Sequence, residues 1–507
     1  MATKAPEKEK DKTRGAETGS APIKKGLKFF KKIELNKKLL NERIQSEVSY
    51  DMKCREMNFA EKDVAFFYVN GLIDAKLMTV MANLMSDLKR EEVVPNTIKH
   101  FLERYTTHMS VETVENFDEA IDKVMCGVVL FLIEDEDKGL LIDARSYPGR
   151  SPAEPDTERV VRGARDGFIE NIVINTALTR RRIRDERLRM EMIQVGTRSK
   201  TDVCIAYLND VADPGLVDLL KERMQEIKID GIPMAEKTIE EFIVGKNLNP
   251  YPLVRYTERP DVAAIHLLEG HVLVFVDTSP SVMITPTTFF HHVQHAEEYR
   301  QKPIAGAYLR WVRFFGIFAS LFLLPIWLFY AMNKGYLPAE LAFIGPRETG
   351  AIPIFWQFVL AEIGIDLMRL AAVHTPSPLA TAMGLIAAIL IGEVAINVGL
   401  FMPETILYLA VASIGMFATP SYELSLANRM VRILLLSAVF VFGLPGFMVV
   451  TTLLVIMLVT TTSLNTPYLW PFIPFNLSAM KNVLVRMAVP TLKKRPSIVH
   501  PQNNWRQ

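Results

Sequence analysis

The 507-residue chain carries 58 Lys and Arg against 57 Asp and Glu, and this net charge of +1 selects no class of partner. The charges are unevenly placed: 12 of the 167 residues from Phe314 to Met480 are charged, against 103 of the other 340. That division excludes a purely soluble enzyme, because the lean part holds apolar runs near the ~20 residues that cross a bilayer and the rich part is long enough for one or two soluble domains.

Residues 1–25 are charged, lack the 7–15-residue apolar core of a secretory signal, and read as a disordered cytosolic tail. Cys54, Cys126 and Cys204 show no CxxC spacing and cannot all pair, which favours a reducing compartment. From Gly26 to Asp143, helical patterns at Thr97–Tyr105 and Phe117–Val124 alternate with strand patterns at Val64–Val69, Val128–Ile133 and Leu140–Asp143. A Pro/Gly/Ser loop, Arg145–Asp156, leads to a charged stretch, Thr157–Val195, that reads as one long helix. A second lobe follows, with a strand at Val203–Tyr207, a helix at Pro214–Ile227, and strands at Ala263–Leu268 and Val272–Val276 joined by a turn at Glu269-Gly270-His271.

The apolar half contains four long runs, Phe314–Met332, Ile352–Ala372, Leu379–Leu400 and Phe447–Ser463, and two short ones, Ile406–Thr419 and Val431–Leu444. Arg300, Lys302, Arg310 and Arg313 precede the first run. Arg369 and His374 follow the second, Arg429 and Arg432 separate the short runs, and Lys481 to Arg506 end the chain with basic residues. Six passes with both termini inside satisfy the positive-inside rule. The expected architecture is a polytopic α-helical C-terminal bundle preceded by a two-lobed soluble α/β (α+β) N-terminal domain. Its divisions are a tail (1–25), lobe 1 (26–150), lobe 2 (151–288), a linker helix (289–313), a transmembrane domain of about six helices (314–480) and a basic cytoplasmic tail (481–507).

Glu362, Asp366 and Arg369 fall on one helical stripe, and a charge at mid-bilayer costs at least ~2.5–3.5 kcal/mol unless it faces protein or water. Glu393 and Asn397 share another face, beside a ridge of Gly384, Ala388 and Gly392 that admits a close helix neighbour. Glu362, Asp366, Glu393 and Asn397 are therefore candidates for a cation path; the alternative is structural ion pairing. Pro325, Pro403, Pro420 and Gly443-Leu444-Pro445-Gly446 expose backbone groups that protein or water must cover. The arginines of 180–189 are interleaved with Asp185 and Glu186, as in a salt-bridged surface, and predict no nucleic-acid partner. His291, His292 and His295 match no recognised metal pattern, and no nucleophile–base set stands out, so no metal, cofactor or enzymatic activity is expected.

The segment Ser146–Leu188 resembles the signature of the GerA-type spore germination protein family. Pro155, Glu158, Arg162, Gly163, Gly167, Phe168, Glu170 and Asn175 meet its P-x-x-E-x-x-x-R-G-x-x-x-G-F-x-E-x-x-x-x-N pattern. IGEVAINVGL (Ile391–Leu400), TPSYELSLANRMVR (Thr419–Arg432) and NTPYLWPFIPF (Asn465–Phe475) are similar to further family segments. The resemblance favours the stage V sporulation protein AF branch, with germinant receptor A subunits as the alternative. It implies an integral protein of the inner spore membrane, its N-terminal domain and C-terminal tail on the core side. It further implies a homo-oligomeric channel that releases monovalent cations with other spore membrane germination proteins. A secondary transporter and a non-conducting assembly scaffold are the competing readings.

Overall fold

A computed structural model of the chain describes residues 26–94, 97–102, 110–147, 158, 160, 162–245, 248–336, 339–347, 350–374, 384 and 393–506. Lobe 1 runs α1 (Ile33–Ile44), β1 (Met52–Phe59), β2 (Lys62–Val69), α2 (Ala75–Ser86), α3 (Arg90–Val93), α4 (Thr97–His100), β3 (Val111–Val114), α5 (Phe117–Met125), β4 (Val129–Ile133) and β5 (Gly139–Ile142). Its strands form one antiparallel sheet in the order β1-β2-β4-β5-β3. The period-2 alternation of β2 explains why both faces are covered. Ala65, Phe67 and Val69 pack under α1 and α5, while Val64 and Phe66 pack under α2 to α4.

Lobe 2 repeats this plan with α6 (Ile172–Arg182), β6 (Leu188–Val195), β7 (Thr201–Leu208), α7 (Pro214–Gln225), α8 (Ala235–Val244), β8 (Arg255–Thr257), α9 (Pro260–Glu269), β9 (Val272–Val276) and β10 (Val282–Thr285). The strand order, β6-β7-β9-β10-β8, is that of lobe 1 position for position. The duplication reaches individual residues. Phe29, Asn36, Asp63, Tyr68, Asn70 and Asp74 recur 139 positions later as Phe168, Asn175, Asp202, Tyr207, Asn209 and Asp213. Asn36 is buried, accepts from the Phe30 N–H (2.8 Å) and donates to the Phe30 carbonyl (2.6 Å). Asn175 does the same with Ile169, at 2.8 and 2.5 Å. Asp74 caps α2 and Asp213 caps α7, each accepting backbone N–H groups that have no partner inside the helix.

Two local expectations are overturned. The stretch Thr157–Val195 is not one helix: Asn171 caps a helix that ends at Arg182, and the alternating sequence from Leu188 enters a sheet as β6. Ala263–Leu268 is not a strand. Pro260 at the first helical turn and Gly270 at φ +107° bracket the helix α9, so Glu269-Gly270-His271 is a helix end rather than a hairpin turn.

The chain then passes through α10 (Phe289–Val293), α11 (Ala296–Arg300) and α12 (Pro303–Phe318) into α13 (Leu324–Met332), with a π turn at Ala319–Leu323 between the last two. The apolar half continues with α14 (Ile354–His374), α15 (Ala395–Asn397), α16 (Pro403–Phe417), α17 (Tyr422–Thr460) and α18 (Leu477–Leu484). α17 reverses direction: Gly443 adopts φ 64°, ψ −141°, and a Cβ on Gly446 would lie 2.3 Å from the Ala438 carbonyl oxygen. An unbroken helix would hold Asn428 and Thr461 about 50 Å apart. Instead they bond Tyr251 and Asn249, two residues apart in the chain, at 3.1 and 2.8 Å. The breaker run Gly443-Leu444-Pro445-Gly446 is thus the turn of a helical hairpin.

Asn175→Ala should leave the backbone polar groups of Ile169 without partners, lowering stability by ~1–3 kcal/mol. Pulse proteolysis of the lobes in urea measures the shift, and a matching loss is expected for Asn36→Ala.

Candidate functional site

In the apolar half, one carboxylate and two guanidiniums sit in the core. Glu362, from α14, is 1% exposed and lies between two guanidiniums of the first arm of α17. Arg429 Nε is 3.0 Å from one carboxylate oxygen and Arg432 Nη2 is 2.5 Å from the other. These are charge contacts rather than aligned hydrogen bonds. Arg429 also reaches the Glu362 carbonyl and Asp366, and Arg369 stands 3.4 Å from Asp366. Arg432 Nη1 donates to the Ser320 carbonyl at 2.6 Å. Pro325 accounts for that last bond: in the π register residue 325 would donate to the carbonyl of residue 320, and proline has no N–H. The side chain of α17 therefore covers the backbone acceptor that the proline of the neighbouring helix leaves open.

The sequence placed Arg429 and Arg432 in a short charged loop between two apolar runs. They lie inside α17, because Ser421 caps that helix by accepting from the Leu424 N–H at 3.3 Å, and it is already underway where the apolar run begins. The pairing of i and i+3 arginines turns both toward α14.

Of the other candidates, Glu393 and Asn397 are both exposed, and among the described residues neither has a hydrogen-bond or ion-pair partner. They precede a helix end closed by Gly399 at φ +77°. Gly384 has no neighbour within 4 Å of an added Cβ; Ala388 and Gly392 lie outside the described residues. The close helix crossing uses a pair the sequence reading missed. Gly316 of α12 and Gly415 of α16 meet so tightly that a Cβ on Gly415 would lie 2.2 Å from the Gly316 carbonyl oxygen. Gly316 with Ser320 and Gly415 with Thr419 each have small-xxx-small spacing, a local signal that the sequence reading weighed only at Gly384, Ala388 and Gly392.

A second buried charge group joins the lobes to the helices. Glu298 of α11 is fully buried, 2.7 Å from Arg310 Nε of α12 and in contact with Arg313. Arg310 in turn donates to the Asn482 and Val483 carbonyls of α18, each at 2.8 Å. Arg486 donates to the Tyr299 and Gln301 carbonyls at 2.7 and 2.6 Å. The first and last helices of the apolar half are thereby tied to one carboxylate and its short helix.

The signature residues sit at the base of lobe 2. Glu158 bridges Arg255 (2.9 Å) and the Thr257 hydroxyl (2.6 Å), and its carbonyl accepts from Arg259. Phe168 packs edge-on against Phe275, with ring centroids 5.6 Å apart. Gly163 lies against the Arg300 guanidinium at φ +140°, a backbone conformation that side-chain-bearing residues rarely adopt. Gly167 is buried, Arg162 and Glu170 are exposed, and Pro155 lies outside the described residues. The arginine-rich run ties the lobes together: Arg180, fully buried, forms a bidentate pair with Asp51 of lobe 1 at 2.8 and 3.1 Å.

Below this layer His266, His271 and His291 cluster with ring centroids 5.0–6.0 Å apart, and His292 is buried nearby. The Thr288 N–H donates to His291 Nδ1 at 3.1 Å, which requires that nitrogen unprotonated. Burial, reinforced for His266 and His291 by neighbouring rings and by Arg255, holds all four below the ordinary imidazole range. His271 is pushed down to about 4 and His292 to about 3.

Two helices long and apolar enough to cross a membrane, one of them with its arginines ion-paired in the helical core, wired to a paired α/β domain, point to a membrane-associated helical protein with a large extramembrane part. Residues 38–498 match the family described as Bacillus/Clostridium GerA spore germination protein, and the chain belongs to that family. It is 53% identical over 482 residues to stage V sporulation protein AF of Bacillus subtilis (strain 168), covering 95% of this chain and 98% of that one. Spore germination protein KA of the same organism is 28% identical over 467 residues, covering 90% and 85%. Spore germination protein GerLA of Bacillus cereus is 29% identical over 461 residues, covering 90% and 93%. The crystal structure of the N-terminal domain of the A subunit of the Bacillus megaterium spore germinant receptor GerK3 aligns at a TM-score of 0.41 and 24% identity, covering 52% of this chain and 98% of that one.

Glu362→Ala should strand two buried guanidiniums at a cost of ~3–5 kcal/mol, read as a lower melting temperature in detergent. Glu362→Ala with Arg432→Leu should cost less than the two single losses added together. For the histidines, the unfolded chain binds protons below pH 6.5 while the folded lobe does not. Stability is therefore complete above pH 6.5 and falls as the pH drops toward 4, by on the order of 3 kcal/mol for His271 alone. Urea midpoints for lobe 2 between pH 7 and 4 measure the fall, and His271→Gln should flatten it.

Proposed function

We propose that this protein is a subunit of an oligomeric channel in the inner spore membrane that releases monovalent cations during germination. In this reading Glu393 and Asn397 line the conducting path. The observation that carries it is the contrast between the carboxylates: Glu362 and Asp366 have arginine partners within the chain, whereas Glu393 stands exposed and unpartnered among the described residues. An exposed carboxylate at membrane depth needs water or another protomer beside it. A ring of such carboxylates concentrates cations as the acidic rings of cation channels do.

The proposal narrows the path suggested by the sequence. Glu362 and Asp366 become the clasp that fixes α14 to α17, and Glu393 with Asn397 the solvent-facing pair. The chain leaves lobe 2 for the helices and its last segment bonds lobe 2 again, which supports an even number of crossings. The 53% identity to a stage V sporulation protein AF, against 27–30% to germinant receptor proteins, supports the AF branch and an amplifying role beside another membrane protein.

The paired state of Glu362 and Asp366 also favours a second reading, a non-conducting scaffold whose lobes carry the function. Potassium release from germinating spores separates the two. Glu393→Gln at normal protein level should slow release several-fold and reduce the cation selectivity of single-channel currents from the purified protein. Unchanged release, or absence of current with the wild-type protein and its membrane partner, would favour the scaffold.

A further inference from the structure

The two lobes share a strand order but close one equivalent edge differently, and the difference identifies a site. In lobe 1 the residues after β5 turn back over the loop that follows β2. Ser146 N donates to the Leu72 carbonyl at 2.9 Å, Ile73 pairs with Arg145, and Arg145 lies against Gly127, the glycine that ends α5. In lobe 2 the residues after β10 cannot do this, because they leave for the helical half: Thr287 bonds Leu253 and Ser463 instead. The equivalent loop, Asn209–Ala212, and the equivalent glycine, Gly270, are covered by the far end of the chain. Gln502 N donates to the Val211 carbonyl at 2.9 Å, and Val211 is the 139-residue counterpart of Leu72. The Gln502 side chain donates to the Asn209 and Ala212 carbonyls at 3.0 and 2.6 Å. Pro501 and Val499 lie where a Cβ on Gly270 would meet them, as Arg145 does at Gly127. Arg506 pairs with Glu269, and Ile498 and Val499 are buried.

We propose that lobe 2 is a split domain with a peptide-binding site at Asn209–Ala212 and Glu269–Gly270, whose ligand is the chain's own segment Arg495–Arg506, a loop that turns at Ser497–His500 and folds back on itself. The recognition elements are an apolar pair, a proline facing the helix-ending glycine, a glutamine whose N–H groups reach three backbone carbonyls, and an arginine paired with Glu269. The segment folds back on itself, with Lys494 opposite Trp505 and Arg495 N donating to the Asn504 carbonyl, and outside the site the Thr466 hydroxyl donates to its Ile498 carbonyl; on this proposal it leaves and returns as one loop. Docked, it fastens the end of the helical half to lobe 2; released, it frees that end and uncovers a surface of the kind that joins lobe 1 to its own closing segment.

The test uses the detergent-solubilised chain, intact and ending at Lys494, with a fluorescent peptide of residues Arg495–Arg506 as the probe. Anisotropy should show saturable binding to the shortened chain, at least tenfold weaker to the intact chain, and at least tenfold weaker for peptides carrying Gln502→Ala or Arg506→Glu. Equal binding to both chains, or none to a shortened chain that keeps the tryptic pattern of its lobes, overturns the proposal. Should the shortened chain not fold, the intact chain decides. Glu269→Arg and Arg506→Glu should each speed tryptic release of the segment at Lys493 or Lys494 at least fivefold, and the double variant should return it to within twofold of wild type. Unchanged rates in the single variants overturn the proposal.

Discussion

A carboxylate with two guanidiniums against it, beside a core of aliphatic and aromatic side chains, constrains how the helical half assembles. Glu362 cannot be withdrawn from Arg429 and Arg432 without leaving charge in an apolar surrounding, so α14 and the first arm of α17 have one register in which all three are compensated. That register carries a second requirement, since Arg432 must also sit beside the carbonyl of Ser320 that Pro325 leaves open. Three segments distant in sequence are thus positioned by one polar contact set. The apolar surfaces around it, Trp327 against Phe358 and Tyr408 and Phe355 against Phe440, fill the space that this arrangement defines. Apolar side chains can repack in a neighbouring register, whereas a register that parts Glu362 from its guanidiniums leaves buried charge uncompensated.

The same logic operates where the lobes meet the helices. Glu298 compensates Arg310 and Arg313, and Arg310 uses its remaining donors on the carbonyls that end α18. The entry to the helical half and its exit are therefore bonded to one another before either reaches the apolar region. Tyr251 and Asn249 hold the two arms of the α17 hairpin from the side of lobe 2. A rotation of lobe 2 would act on the first helix, the hairpin and the last helix together, which makes the lobe a single lever rather than a tethered weight.

Much of this organisation was legible from residue patterns. The charge division separated the two materials, the breaker run marked the hairpin turn, and the stripe of Glu362, Asp366 and Arg369 reads as a cation path with structural ion pairing as the alternative. What escaped the sequence has physical causes. The helix α9 reads as a strand because its apolar residues are continuous, and only the bracketing Pro260 and Gly270 distinguish a buried helix from a buried strand. Arg429 and Arg432 read as loop charges because hydropathy cannot tell a solvated arginine from one whose partner comes from a helix sixty residues earlier. The pairing of Gly316 with Gly415 and the Ser320 acceptor are relations between segments, invisible to any window. The internal duplication was present in the letters, in the recurrence of Asp-Val-x-x-x-Tyr and of the two capping aspartates. Its meaning became clear only when the strand orders matched.

That duplication also explains why the chain's end matters. Two copies of one fold placed in series need their outer edges closed, because a lobe with an uncovered loop and helix end leaves backbone groups and apolar side chains to solvent. Lobe 1 closes its edge with its own next residues. Lobe 2 has given up those residues to reach the helices, and so borrows the function from a segment that arrives after the entire apolar half has been traversed. The loop thus closed runs from Thr285 to Gln502, and closing a loop of this length costs only slightly more entropy than closing one half as long. The borrowed edge is therefore thermodynamically affordable, and it leaves lobe 2 complete only when the helical half has brought its end back to the same side from which it started.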